Sequence, residues 1–261
     1  MNKERFFAAN TMALITHGLT QPFDLVKTRA QVMQEGKSFT GLGFQKGFQP
    51  GPMLEEIHRS GGGMRRFYTS LDGFVAKTMV YTTARIWSFL YFYDWLNPDP
   101  RRSARIDWNI MAATAGGLVA GVIFNPVDLV FTRMQIDGMY PEGCRRNYKN
   151  IVDGLMRVVD EGTLFRGSAA NGLKIAALCG SMTGVNDWCK ENSYYWFGPS
   201  WMNRIFGTAT AVAVGVTVSL PFDCIRTRLH QMRPLPNGVL PYNNTWDCFK
   251  KMATYEANTV H

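Results

Sequence analysis

The chain has 261 residues, 46% of them apolar, with 28 Lys and Arg against 20 Asp and Glu, giving a formal net charge of +8. A mean hydropathy of −0.13 and a pI near 9.3 argue on their face for a soluble basic protein. The basic residues are dispersed and form no nucleic-acid-binding motif, which excludes that class of partner. Five cysteines (Cys144, Cys179, Cys189, Cys224, Cys248) are odd in number and lack metal-ligand spacing, so they read as packing residues.

Taken in order, the N-terminal MNKERFF leads without an evident cleavable presequence into a first helix predicted over Phe6–Arg29, with Ala9 and Ala13 on a small-residue face. GKSFTGLGFQKGFQPG reads as a loop, Pro52–Arg59 as a short helix, and Ser60-Gly61-Gly62-Gly63 as a break. A second long helix is predicted over Leu71–Leu96. On it Lys77, Tyr81 and Arg85 stand at i, i+4 and i+8, one helical face. Trp87, Phe89, Tyr91, Phe92, Tyr93 and Trp95 crowd its far end, as an interfacial belt would. After NPDPRRSAR comes a third helix over Trp108–Met134, where Ala113, Gly117 and Gly121 recur every four residues, a pattern for close packing. Tyr148–Val159 reads as a short helix before EGTLFRG. A fourth long helix is predicted over Asn171–Lys190 and carries Lys174 and Met182-Thr183. A fifth, over Met202–Leu229, repeats the small face with Gly207, Ala211 and Gly215. A last short helix is predicted over Thr245–Tyr255.

One stretch occurs three times along this order: QPFDLVKTRAQ (21–31), NPVDLVFTRMQ (125–135) and LPFDCIRTRLH (220–230). The prolines stand at 22, 126 and 221, at intervals of 104 and 95 residues. A motif that closes an apolar helix at a period near 100 marks three homologous units, predicted over residues 1–100, 101–197 and 198–261. Proline inside a helix removes one backbone hydrogen bond and bends it. Asp and the position three residues on share a face, and charges inside a membrane are expensive unless paired. Three such helices converging would pair acid with base between helices. The triplication overrides the modest hydropathy, because helices lining a polar cavity need only one apolar face.

These residues resemble the signature of the mitochondrial carrier family, Pro-x-(Asp/Glu)-x-x-(Lys/Arg)-x-(Lys/Arg). The resemblance implies an all-α membrane protein of the inner mitochondrial membrane. Its expected fold is a three-fold pseudo-symmetric bundle, here truncated to about five transmembrane helices plus matrix helices because no sixth long helix follows residue 255. It implies a matrix gate built from Asp24, Lys27, Asp128, Asp223 and Arg226, braced by Gln31 and Gln135, with His230 in the third brace position. The second helix is similar to that of the 2-oxoglutarate/malate carrier. Arg85, Lys77, Tyr81 and Lys174 are therefore the expected substrate contacts. Remnants of an opposite, cytoplasmic gate are Asp94, Asp187 and Lys190. The shortened acid-Gly motif, with Gly162, Phe165, Arg166 and Gly167, is the expected cardiolipin site. No other cofactor and no metal is expected, and four scattered histidines give no basis for an enzyme.

Three departures from the family pattern shape the functional expectation. Phe131 stands where the second signature has its base, and that base would partner Asp24. The pairings left are Asp128 with Arg226 and Asp223 with Lys27. The cytoplasmic gate has lost a base at Asn97, and the sealed barrel that alternating access needs would be short of one helix. The balance therefore favours a carrier-fold protein retained as a structural or accessory subunit of a larger inner-membrane complex, in contact with other subunits and membrane lipids. The alternative is an active transporter of a small anion such as a dicarboxylate or oxoglutarate.

Overall fold

The computed structural model describes residues 3–35, 71–97, 106–137, 145–197, 201–232 and 240–257, in seven helices and no strands among these residues. They are α1 (Lys3–Glu35), α2 (Leu71–Leu96), α3 (Ile106–Asp137), α4 (Ile151–Asp160), α5 (Ser168–Phe197), α6 (Trp201–Gln231) and α7 (Thr245–Ala257). The fold is all-α, as the carrier signature implies. The short helix expected over Pro52–Arg59, its flanking loop and Cys144 lie outside the described residues.

The five long helices have 33, 26, 32, 30 and 31 residues, beyond the roughly 20 a membrane span requires. Composition alone singles out two of them, Asp107–Asp137 and Trp201–Gln231, each with a best window of mean hydropathy 1.7. The other three are masked by polar side chains they bury, such as Asn10 and Gln21 in α1, Thr78, Thr82 and Ser88 in α2, and Asn171 in α5. The helices outrun their predicted ends because nothing stops them. No Gly or Pro separates Arg29 from Gly36, or Lys190 from Gly198. The reverse holds for α4, which starts at Ile151 rather than Tyr148. There Asp137 accepts from the N–H groups of Arg146 and Asn147, both at 2.7 Å, and Asn147 takes a left-handed φ of 49°.

The helices form two compact units, neither coinciding with a sequence repeat. One comprises the described residues within 1–82, 125–167 and 224–261; the other comprises those within 83–124 and 168–223. In the first, α4 lays Ile151 and Val158 against Leu129 and Val130 of α3, with Leu155 and Leu164 closing the cluster. In the second, neighbouring helices meet backbone to backbone at small residues. A Cβ added at Gly121 of α3 would stand 2.6 Å from the Gly172 Cα of α5, and one at Gly117 would stand 2.9 Å from the Ile175 carbonyl oxygen. Asn171 Nδ2 donates to the Gly121 carbonyl at 3.0 Å across this seam. On α6, a Cβ at Gly215 would meet Met182 Cγ at 2.7 Å. The small-residue faces read from sequence are thus the helix-packing seams of α3 and α6. Gly121→Ala should force α3 and α5 apart and lower stability by about 1–3 kcal/mol, the usual cost of overpacking. A thermal melt of the purified variant would read this as a lowered Tm, and an unchanged Tm would mean that the seam yields freely.

Candidate functional site

The first unit gathers the second and third signatures around one carboxylate. Asp128 of α3 is fully buried. Its Oδ2 lies 2.8 Å from Arg226 Nη1 of α6, and its Oδ1 lies 3.7 Å from Lys77 Nζ of α2. The Arg226 contact is close but poorly aligned as a hydrogen bond, so its attraction is mainly Coulombic. The Asp128–Arg226 pairing is one that the sequence left open, and the structure makes it. Lys77 is the less expected partner. It sits 4.5 Å from the centroid of the Phe131 ring, within cation–π range. A cation on α2 thus stands against the residue that replaces the base of the second signature on α3.

The brace positions are filled unequally. Gln31 Oε1 accepts from the Thr227 hydroxyl at 3.1 Å, tying α1 to α6. Gln135 is buried, and its backbone carbonyl accepts from Arg29 Nε at 3.4 Å. His230, in the third brace position, is fully buried, with Nε2 3.1 Å from Asn125 Oδ1. Asn125 Nδ2 donates to the carbonyls of Leu164 and Arg166. That fixes its amide orientation, so the Nε2 of His230 carries the proton and donates. The other imidazole nitrogen, Nδ1, stands 3.9 Å from Asp128 Oδ2. Asp24, by contrast, is exposed on α1.

A further pair was not anticipated from sequence. Arg133, the closing Arg of the second motif, is buried and donates from Nη1 to Glu161 Oε2 at 2.9 Å and from Nε to the His230 carbonyl at 3.1 Å. Arg133 closes the second copy of the repeated motif and Glu161 opens the acid-Gly motif that the family resemblance implies, and that was the available signal. Burial pushes the Glu161 carboxyl up. The hydrogen bond and charge of Arg133, helped by Arg146 and Thr163, outweigh it and hold the group below its ordinary 4.5. A carboxyl depressed on folding contributes stability above its unfolded value and loses it as pH falls through the folded one. Wild type should therefore melt above Glu161→Gln at pH 7, and the two curves should converge as pH drops below about 4. Parallel curves at all pH values would refute the pairing.

The turn that follows Glu161 holds the expected cardiolipin residues. Gly162 and Gly167 have positive φ of 64° and 76°, which other residues adopt only with strain. Phe165 is exposed and Arg166 half-buried just before α5 begins.

In the second unit, Lys174 Nζ of α5 lies 2.8 Å from Asp223 Oδ1 of α6. A residue expected at the substrate is thus engaged by the carboxylate of the third signature. Arg85 of α2 is exposed and forms a hydrogen bond with the Cys179 thiol of α5. Met182, at the second contact position, packs on the small face of α6. Among the cytoplasmic gate remnants, Asp94 is exposed and Asp187 half-buried. The Lys190 side chain lies outside the described residues.

Long helices closed by Pro-x-Asp motifs, with Asp128 and Asp223 meeting cations from neighbouring helices, define a membrane carrier. The chain belongs to the mitochondrial carrier family: the family model, "Mitochondrial carrier protein", matches residues 2–99 and 108–195. It is 59% identical over 259 residues to the macronuclear solute carrier homolog of Oxytricha trifallax and 58% identical to that of Oxytricha fallax, each match covering 99% of this chain and 70% of the relative. It is also 28% identical over 243 residues to the mitochondrial 2-oxoglutarate/malate carrier protein of Sus scrofa, covering 90% of this chain and 70% of that protein.

Proposed function

We propose that this chain is an inner-membrane carrier that exchanges small dicarboxylate anions of the oxoglutarate class. The observation that carries the reading is the exposed Arg85 on a spanning helix. A guanidinium within a span is expensive in lipid, so an exposed one marks a water-filled face that attracts anions. Tyr81 and Lys77 continue the same face of α2, one and two turns away. With Met182 used for packing, selectivity in this reading rests mainly on α2. The name of the Sus scrofa relative supports the substrate class.

The signature network, on this reading, closes the matrix side, and the turn at Gly162–Gly167 receives a cardiolipin phosphate beside the start of α5. The thinned gates had favoured a static subunit of a larger complex, but neither the fold nor the relatives support that role. Its premise is also weakened, since Phe131 has Lys77 against it. The experiment is counter-exchange of labelled oxoglutarate in proteoliposomes, run beside native gels of solubilised membranes. Exchange above empty liposomes supports the carrier reading. Inactive protein that co-migrates with a large complex would overturn it.

A further inference from the structure

The two cations at Asp128 are not equivalent. Arg226 is 2.8 Å away with a side chain 9% exposed, whereas Lys77 is 3.7 Å away and 30% exposed. If Lys77 leaves, the carboxylate keeps its closer cation and is not stranded as a lone buried charge, which would be prohibitive. Lysine is also suited to leaving, being a point charge on a four-carbon stem with rotatable donors. Its resting place over Phe131 is apolar and gives the ammonium no acceptor oxygen. Any carboxylate that reaches the α2 face at Tyr81 therefore offers Lys77 a better partner than the ring, in competition with Asp128. What Lys77 holds now is α2 against α3. Gly73, one turn earlier, packs closely on α3 and α4, a Cβ there standing 3.1 Å from Phe131 Cδ2 and 3.3 Å from Ile151 Cδ1. Releasing the charge loosens this close contact at its polar end.

We infer that Lys77 is a shared cation, so that an anion bound along α2 takes it from Asp128 and frees α2 from its tie to α3. The competition rests on the anion-carrier reading; the tie itself does not. A ligand shifts such an equilibrium only through its different affinity for the two states, and here the difference is one ammonium that cannot serve two carboxylates fully.

The test is a four-protein cycle on the purified full chain: wild type, Lys77→Met, Asp128→Asn and the double variant. Oxoglutarate affinity is read from ligand-dependent thermal shifts. Asp128→Asn should tighten binding about three- to tenfold by removing the competitor, and the gain should vanish in the Lys77→Met background, since coupled neighbours are non-additive. Unchanged or weaker binding in Asp128→Asn, or a gain that survives without Lys77, overturns the inference. The tie is read separately: without ligand, Lys77→Met should lower Tm by about 2–8 °C, and no drop refutes it. Wild type that binds no oxoglutarate sinks the functional reading and the competition together, while the Tm arm still judges the tie. Should Asp128→Asn not fold, spin labels at Val75→Cys of α2 and Val152→Cys of α4, in a background with native cysteines replaced, decide the matter. Their separation should grow on adding oxoglutarate in wild type and stay fixed in Lys77→Met; growth in both would contradict the inference.

Discussion

Asp128→Ala is expected to be the most damaging single substitution in the first unit. It leaves the Arg226 guanidinium, 9% exposed, and the Lys77 ammonium facing one another with their shared carboxylate gone. Removing one member of a buried pair typically costs about 3–5 kcal/mol, because the remaining charge stays desolvated. For a chain of this size that is on the order of 10 °C in Tm. The double substitution Asp128→Leu with Arg226→Met should recover much of the loss, since replacing a whole buried pair by apolar residues is often neutral. A double-mutant cycle by thermal melting measures the coupling. A single-variant loss under about 1 kcal/mol, or a double variant no better than Asp128→Ala, would mean that the network contributes little to the fold.

The same cluster separates what was legible in the sequence from what was not. The resemblance of the repeated motif to the carrier signature left Asp128 with Arg226 as one of two possible pairings, and the pair stands at 2.8 Å. The small faces at Gly121 and Gly215 were legible from the spacing: small residues at every fourth position imply close helix packing, and a Cβ at either would stand 2.6 or 2.7 Å from an atom of α5. Lys77 was read only along its own helix, where its spacing to Tyr81 and Arg85 points at a ligand. Which residue of α3 faces it depends on how α2 and α3 pack, and spacing within one helix carries no such information. The same limit hid the contact of Lys174 with Asp223 and that of Arg133 with Glu161. His230 was read as an odd brace. Its bond to Asn125 joins the first residue of one motif copy to the last of another, a pairing that no alignment of the copies with each other predicts.

The second large effect concerns Arg85. If the exposed face of α2 draws the anion in, Arg85 supplies charge-assisted hydrogen bonds to it, each contributing about 1.5–3 kcal/mol. That corresponds to roughly a 10- to 100-fold loss on truncation. Arg85→Lys should fall between wild type and Arg85→Ala, because a lysine keeps the charge but not the fork that holds a carboxylate at two points. The fold should hardly notice either change, since the side chain is exposed. The most direct measurement is therefore initial-rate oxoglutarate counter-exchange in proteoliposomes carrying wild type, Arg85→Lys and Arg85→Ala at equal, verified incorporation. The account predicts exchange by wild type, a partial loss in Arg85→Lys and a loss of at least tenfold in Arg85→Ala; wild-type exchange that survives Arg85→Ala undiminished would contradict it.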